Sequence, residues 1–224
     1  MKKFIDWHKE LKNRYNHLLS ILSIILLLYP LINAIEIRLP IINFFLILAI
    51  MPALYTALKP KTFRYFSLML MGCFLIDILI AYNVLSDNSL LFLFTIVIYA
   101  VLLSIAIIAL IRKINSFRTV TPDVIKGGIS IYLLLGVLWM VLYNILNTFA
   151  PDAFSCGSGQ SIDFIYLSFI TLTTLGYGDI VPLTPVSKIL TTFEAITGQI
   201  FLATLIARLV GLKIAQELKQ EEKL

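Results

Sequence analysis

Residues 171–179 read Thr-Leu-Thr-Thr-Leu-Gly-Tyr-Gly-Asp, and this run is the part of the chain best suited to chemistry. Gly176 and Gly178 tolerate positive φ, which residues with a Cβ avoid. Alternating such conformations with ordinary ones turns successive backbone carbonyls toward one side. Thr174 adds a hydroxyl to that strip of oxygens. Oxygens arranged in this way can stand in for the water shell of a cation, and several strands are needed to close the shell. Competing chemistry is scarce. His8 and His17 sit near the N-terminus without a Cys or carboxylate cluster that would make a metal site. No spacing suggests a hydrolase or an oxidoreductase, so the chain does not read as an enzyme, and no cofactor is expected.

The elements that must hold this strip are apolar. Of 224 residues, 59% are hydrophobic and only 14% are charged, with a mean hydropathy of +0.94. A soluble domain is about 45–50% apolar and about 25% charged. That gap excludes a soluble globular fold, a disordered tail, a collagen and a disulfide scaffold. The net charge is +5, but no basic block accompanies it, which argues against nucleic acid as a partner. A membrane helix needs about 20 mostly apolar residues. Six stretches qualify: 18–35, 40–58, 63–82, 90–111, 125–146 and 186–212. A seventh, 164–174, is too short to span and reads as re-entrant. Non-helical backbone at membrane depth must lie against protein or water.

Basic residues set the orientation. With the N-terminus inside, 16 of the 18 Lys and Arg lie on the inner side, leaving only Arg38 and Lys188 outside. Both termini are therefore expected in the cytoplasm. Phe4, Trp7, Leu11, Tyr15 and Leu18 recur at helical spacing. Segment 1–17 is thus an amphipathic helix on the inner membrane surface or a helical lead into the first span. The expected organisation is this segment, a four-helix bundle over 18–115, a pore unit over 120–212 and a short tail over 213–224.

The nine residues 171–179, preceded by a short helix at 164–173 and set between two spans, resemble the selectivity filter of the potassium-channel family. The resemblance covers about 120–212, and its run from Gly198-Gln199 to Gly211-Leu212 is similar to short bacterial channels. It implies an all-α membrane protein of six transmembrane helices plus a re-entrant pore helix and filter loop, assembling as a homotetramer in the plasma membrane among its lipids. By the resemblance, K⁺ is bound by the carbonyls of Thr174, Leu175, Gly176 and Tyr177 with the Thr174 hydroxyl, and Gly178 completes the filter. Tyr177 would point away from the axis and brace the filter. Asp179 would anchor the outer mouth, and Thr173 would support the filter from below. Gly198 stands where the family bends its inner helix; a close-packing role is the other reading. Gln199, Leu202 and Ile206 share a face expected to line the cavity, although Gln199 also suits an interhelical hydrogen bond.

Several residues depart from the family pattern or bury polarity. Ile170 stands where some relatives have an acid and Leu167 where many have Trp, so two usual struts are missing. Leu175 replaces the commoner Val or Ile. An acid inside a span is costly and usually functional. Glu194 either bonds the pore helix from behind, at Thr173, or adds negative charge near the cavity, or is satisfied locally. Asp77 is either the remnant of a sensor pair or a bond to a neighbouring helix. The fourth span has no Arg or Lys before Arg112. Steep voltage gating needs about 3–4 charges per sensor, so none is expected here. Cys156 reads as a free thiol or an inter-subunit disulfide, and Cys73 as a small core residue. A weakly selective cation channel and a non-conducting accessory subunit are the rival functions.

Overall fold

The computed structural model describes residues 14–28, 40–82, 84, 89–155 and 161–221. Its described elements are helical. They are α1 (Arg14–Leu28), α2 (Ile41–Ala57), α3 (Pro60–Ala81), α4 (Ser89–Asn115), α5 (Pro122–Phe149), a 3₁₀ turn (Pro151–Ala153), α6 (Ser161–Leu172) and α7 (Pro185–Glu221). Proline marks the starts. Pro60, Pro122 and Pro185 open α3, α5 and α7, where the missing N–H is no loss and φ is already helical.

Among the described residues four helices are long and apolar enough to cross a membrane: Pro60–Ala81, Leu90–Asn115, Pro122–Phe149 and Pro185–Leu218. The chain is a multi-pass membrane protein on this basis. The first two expected spans are shorter as described. α1 runs only over Arg14–Leu28, and the expected span beyond it, 29–35, lies outside the described residues. α2 fills the expected 40–58 with an apolar helix of 17 residues. Residues 1–13 of the expected amphipathic segment are likewise outside the description. Tyr15 and Leu18 are fully buried. They face protein, not a membrane surface, and belong to a helix continuous with the first apolar stretch. α7 continues without a break from Pro185 to Glu221, through most of the expected tail.

In chain order the helices form a first group, α1–α4 (the peripheral bundle), and a second, α5–α7, which coincides with the expected pore unit. α4 joins them by packing against α2, α3 and α5. α5 buries Val124, Ile131, Leu134, Val137 and Val141 at seven-, three- and four-residue spacing, as one helix face requires. Small residues let the helices meet closely. A Cβ on Gly136 would stand 2.7 Å from the Phe169 ring of α6. Basic residues tie the far ends together. Arg208 of α7 donates to the Ile114 carbonyl at 2.7 Å and the Phe117 carbonyl at 3.2 Å, the open C-terminal end of α4. Lys113 donates to the Thr56 carbonyl of α2 at 2.5 Å.

Candidate functional site

α6 stops where its last carbonyls find partners in the loop that follows. Leu175 N–H donates to the Ile170 carbonyl at 2.8 Å, and Thr174 N–H to the Thr171 carbonyl at 2.9 Å. This pair of bonds is the Schellman pattern, which needs a left-handed residue at the position of Thr174. Thr174 is left-handed, with φ 58°, and so are Gly176 (φ 53°) and Gly178 (φ 81°). Glycine adopts this conformation freely, whereas a β-branched residue there is an outlier costing of order 1–3 kcal/mol. Left-handed residues therefore alternate with ordinary ones along 174–178. That alternation is the backbone form that turns successive carbonyls to one side, and Thr174 enters it against its own preference.

The strip is exposed along its length. Leu175 is 56% and Tyr177 68% exposed. Among the described residues little of this chain covers the Tyr177 ring. Asp179 is held from behind: Tyr166 of α6 donates to its carboxylate at 2.7 Å. Tyr166 escaped the sequence reading, although it lies one turn before Ile170 on the same helix. Ile170 and Leu167 are buried apolar contacts, and Tyr166 is the α6 residue that bonds Asp179.

Glu194 sits on α7 and is fully buried. Its Oε1 lies 2.6 Å from Ser168 Oγ of α6, and its Oε2 accepts from Tyr143 of α5. Ser168 Oγ is also 2.7 Å from the Gly136 carbonyl of α5. One acid thus joins the three helices of the pore unit. The expected partner Thr173 is not the one used. Its hydroxyl turns back to the Phe169 carbonyl at 2.6 Å within its own helix, as threonines near helix ends commonly do.

Gly198 marks the crossing of α7 over the end of α6. A Cβ there would collide with the Leu172 carbonyl oxygen, so the close approach needs glycine. Tyr132 of α5 donates to that same carbonyl at 3.1 Å and stacks on Phe201 at 6.1 Å. On the next residue of α7, Gln199 Nε2 stands 3.4 Å from Thr174 Oγ1. Gln199 is therefore next to the lower end of the strip. Leu202 is half-buried and Ile206 exposed below it.

The chain leaving the strip is stitched to the turn after α5. Phe154 pairs with Pro182, Ser155 N–H donates to the Val181 carbonyl at 2.9 Å, and Leu183 N–H to the Ala153 carbonyl at 2.9 Å. Ser187 Oγ adds a 2.7 Å bond to Ala153. Tyr143, Phe154 and Phe164 pack beneath, with ring centroids 5.1–6.5 Å apart. Cys156, just beyond, lies outside the described residues, whereas Cys73 is buried in α3. Among the described residues no group of three or more His, Cys, Asp or Glu is placed to hold a metal ion. The oxygens on offer are backbone carbonyls and hydroxyls.

Comparison with known proteins points the same way. Residues 129–212 match a family described as an ion channel. The chain is 39% identical over 83 residues to two-pore potassium channel 4 of Arabidopsis thaliana, covering 34% of this chain and 29% of that protein. It is 44% identical over 48 residues to potassium channel K1 of Plasmodium berghei (strain Anka), covering 21% of this chain and 2% of that protein. The chain thus spans less than a third of the length of either relative. No solved structure matches it. The ion-channel match coincides with α5–α7 and leaves α1–α4 unassigned.

Proposed function

We propose that this protein is a potassium-selective channel in which four copies bring their 174–178 strips around one axis. The observation that carries this reading is the alternation of left-handed backbone at Thr174, Gly176 and Gly178 within a Thr-Leu-Gly-Tyr-Gly-Asp sequence. A K⁺ ion crossing lipid must exchange its water for other oxygens. The carbonyls of Thr174, Leu175, Gly176 and Tyr177, with the Thr174 hydroxyl, supply them. α6 directs the negative end of its dipole to the lower end of the strip, which favours a cation. Thr173, Asp179 and Glu194 hold the strip in place, and Gln199, Leu202 and Ile206 line the path beneath it. Gly198 is where α7 pivots or locks against α6.

Assembly of four accounts for surface that a single chain leaves bare. Val186, Ile189, Phe193, Ile196 and Ile200 form one exposed apolar stripe on α7, on the helix that carries Gln199 beside the strip. Copies around the axis would cover it and give Tyr177 its brace. Six spans with both termini in the cytoplasm place 16 of the 18 Lys and Arg on the inner side, in a plasma membrane. α4 carries no Arg or Lys before Arg112, so opening is not steeply voltage-dependent.

Liposomes holding the purified protein test this reading. K⁺ efflux that Ba²⁺ blocks, with Na⁺ efflux near background, is the expected result. Equal K⁺ and Na⁺ efflux would indicate a weakly selective cation channel. No efflux from a dimer or monomer would indicate an accessory subunit.

A further inference from the structure

The end of α4, the first three turns of α5 and the middle of α7 enclose a crevice of about 100 Å³. Its walls are apolar: Ile111 of α4, Ile131 of α5, and Phe201 and Leu205 of α7. Its polar groups gather toward one end, where Asn115, the last residue of α4, meets Arg208 of α7. Phe201 stands seven residues before Arg208, about 10 Å away along α7, with Thr204 between them.

Arg208 is held in place but not neutralised. Its Nη2 donates to the Ile114 carbonyl at 2.7 Å and the Phe117 carbonyl at 3.2 Å. A guanidinium carries five N–H donors, so Nη1 and Nε keep theirs for another partner. Among the described residues no carboxylate pairs with it; the ion pair on α7 joins Lys213 and Glu217 instead. The open end of α4 offers only about half a negative charge. Arg208 is half-buried, and a charge so placed is costly until an anion meets it. Arg112 and Arg118, both exposed near that end of α4, add charge of the same sign.

Apolar space of this kind stays dry or takes an apolar guest. For a multi-pass membrane protein the guest at hand is an acyl chain. The two ends of the crevice match the two parts of one lipid. A chain fits along Ile111, Ile131 and Phe201, and a phosphate fits the free side of the Arg208 fork. The exposed Arg112 and Arg118 extend the positive field toward the membrane surface, where a phospholipid carries its headgroup. A second copy of the chain is a poorer fit. The stripe from Val186 to Ile200, which assembly of four would cover, lies on another side of α7. Phe201, Leu205 and Arg208 stand roughly 80–140° round the helix from Ile200.

We infer that this crevice binds an anionic phospholipid of the inner leaflet, with one acyl chain between α4, α5 and α7 and its phosphate on Arg208. The inference goes beyond potassium conduction and does not need it; it takes from that reading only the side of the membrane. The bound lipid ties α4 and α5 to α7 and stabilises the fold by mass action.

The test is thermal unfolding of the whole chain in detergent at fixed K⁺ and ionic strength, with dioleoyl phosphatidylglycerol, dioleoyl phosphatidylcholine or oleate added. The midpoint should rise with phosphatidylglycerol and saturate, at a concentration at least about tenfold below that for phosphatidylcholine. Arg208→Gln should raise the half-saturating phosphatidylglycerol at least about tenfold. Ile111→Trp fills the crevice and keeps every charge, so it should abolish the rise, and it serves if the Arg208 variant folds poorly. A phosphatidylglycerol response unchanged in Ile111→Trp overturns the site and assigns the effect to surface charge. Equal responses to the two phospholipids overturn it, as does a response to oleate as strong as that to phosphatidylglycerol, which assigns the crevice to a fatty acid. A midpoint that follows protein concentration and no lipid overturns it in favour of a second copy. K⁺ efflux from the same preparations is read separately, so loss of the lipid site and failure of the channel reading remain distinguishable.

Discussion

Two buried acids divide the molecule. Glu194 in the pore unit and Asp77 in the peripheral bundle are both within a few per cent of full burial. Glu194 is bonded on both oxygens, to Ser168 and Tyr143, and joins three helices. Asp77 is bonded on one oxygen and leaves the other open. The glycines differ in the same way. Gly198 is held against a backbone carbonyl, whereas a Cβ on Gly72 would meet nothing within 4 Å. Contacts are dense next to the strip, at Gly198 and Glu194, while Gly72 and Asp77 in the bundle, like Gly211 of α7 and Asn147 of α5, keep open space or an open oxygen.

Breaking that contrast gives an ordered series of effects. The largest belongs to the strip. Gly178→Ala puts a Cβ on a left-handed residue, at a cost of about 1–2 kcal/mol in each strand. In the proposed tetramer four strands multiply the penalty, so K⁺ efflux from liposomes should fall at least about 100-fold. Next comes Gly198→Ala, whose new methyl meets the Leu172 carbonyl. It should push α7 off α6 and lower the assembled fraction seen by size-exclusion chromatography. An unchanged assembly with normal flux would show that the crossing is loose.

Glu194 separates charge from hydrogen bonding. Ser168 carries one proton yet has two acceptors in reach, Gly136 and Glu194. A neutral carboxyl would supply the missing proton. Glu194→Gln keeps a donor for Ser168 and an acceptor for Tyr143, so its thermal stability and flux should stay near wild type. Glu194→Ala leaves both partners unsatisfied and should cost about 2–3 kcal/mol. A Gln variant as damaged as the Ala variant would mean that the negative charge itself is needed.

Smaller effects follow. Tyr166→Phe removes the bond to Asp179 and should show as a several-fold rise in Na⁺ leak. The smallest is Gly72→Ala. With open space around it and a helical backbone, it should be neutral or stabilise by about 0.5–1 kcal/mol. A large loss there would remove the contrast between the two regions.

The sequence made some of this legible and hid the rest for physical reasons. Glycines at 176 and 178 announce positive φ because little else favours them so consistently. The short helix before the strip showed as an apolar run, expected at 164–173 and found over Ser161–Leu172. Thr174 could not be read, since a β-branched residue gives no local sign of a left-handed turn; the Schellman bonds of α6 impose it. Tyr143 and Ser168 were missed because they reach Glu194 across 51 and 26 residues, and a single sequence carries no record of such pairings. Thr173 was expected there instead. Apolar length marked α3, α4, α5 and α7 well. It said less of α1 and α2, where a hydropathy run does not show where a helix stops.

The central claim is that the 174–178 strip selects K⁺. The most direct measurement is the reversal potential of the reconstituted protein in a planar bilayer with K⁺ on one side and Na⁺ on the other. A reversal far toward the K⁺ equilibrium potential, lost in Gly178→Ala, is the predicted result. A reversal near zero in the wild-type protein would contradict it.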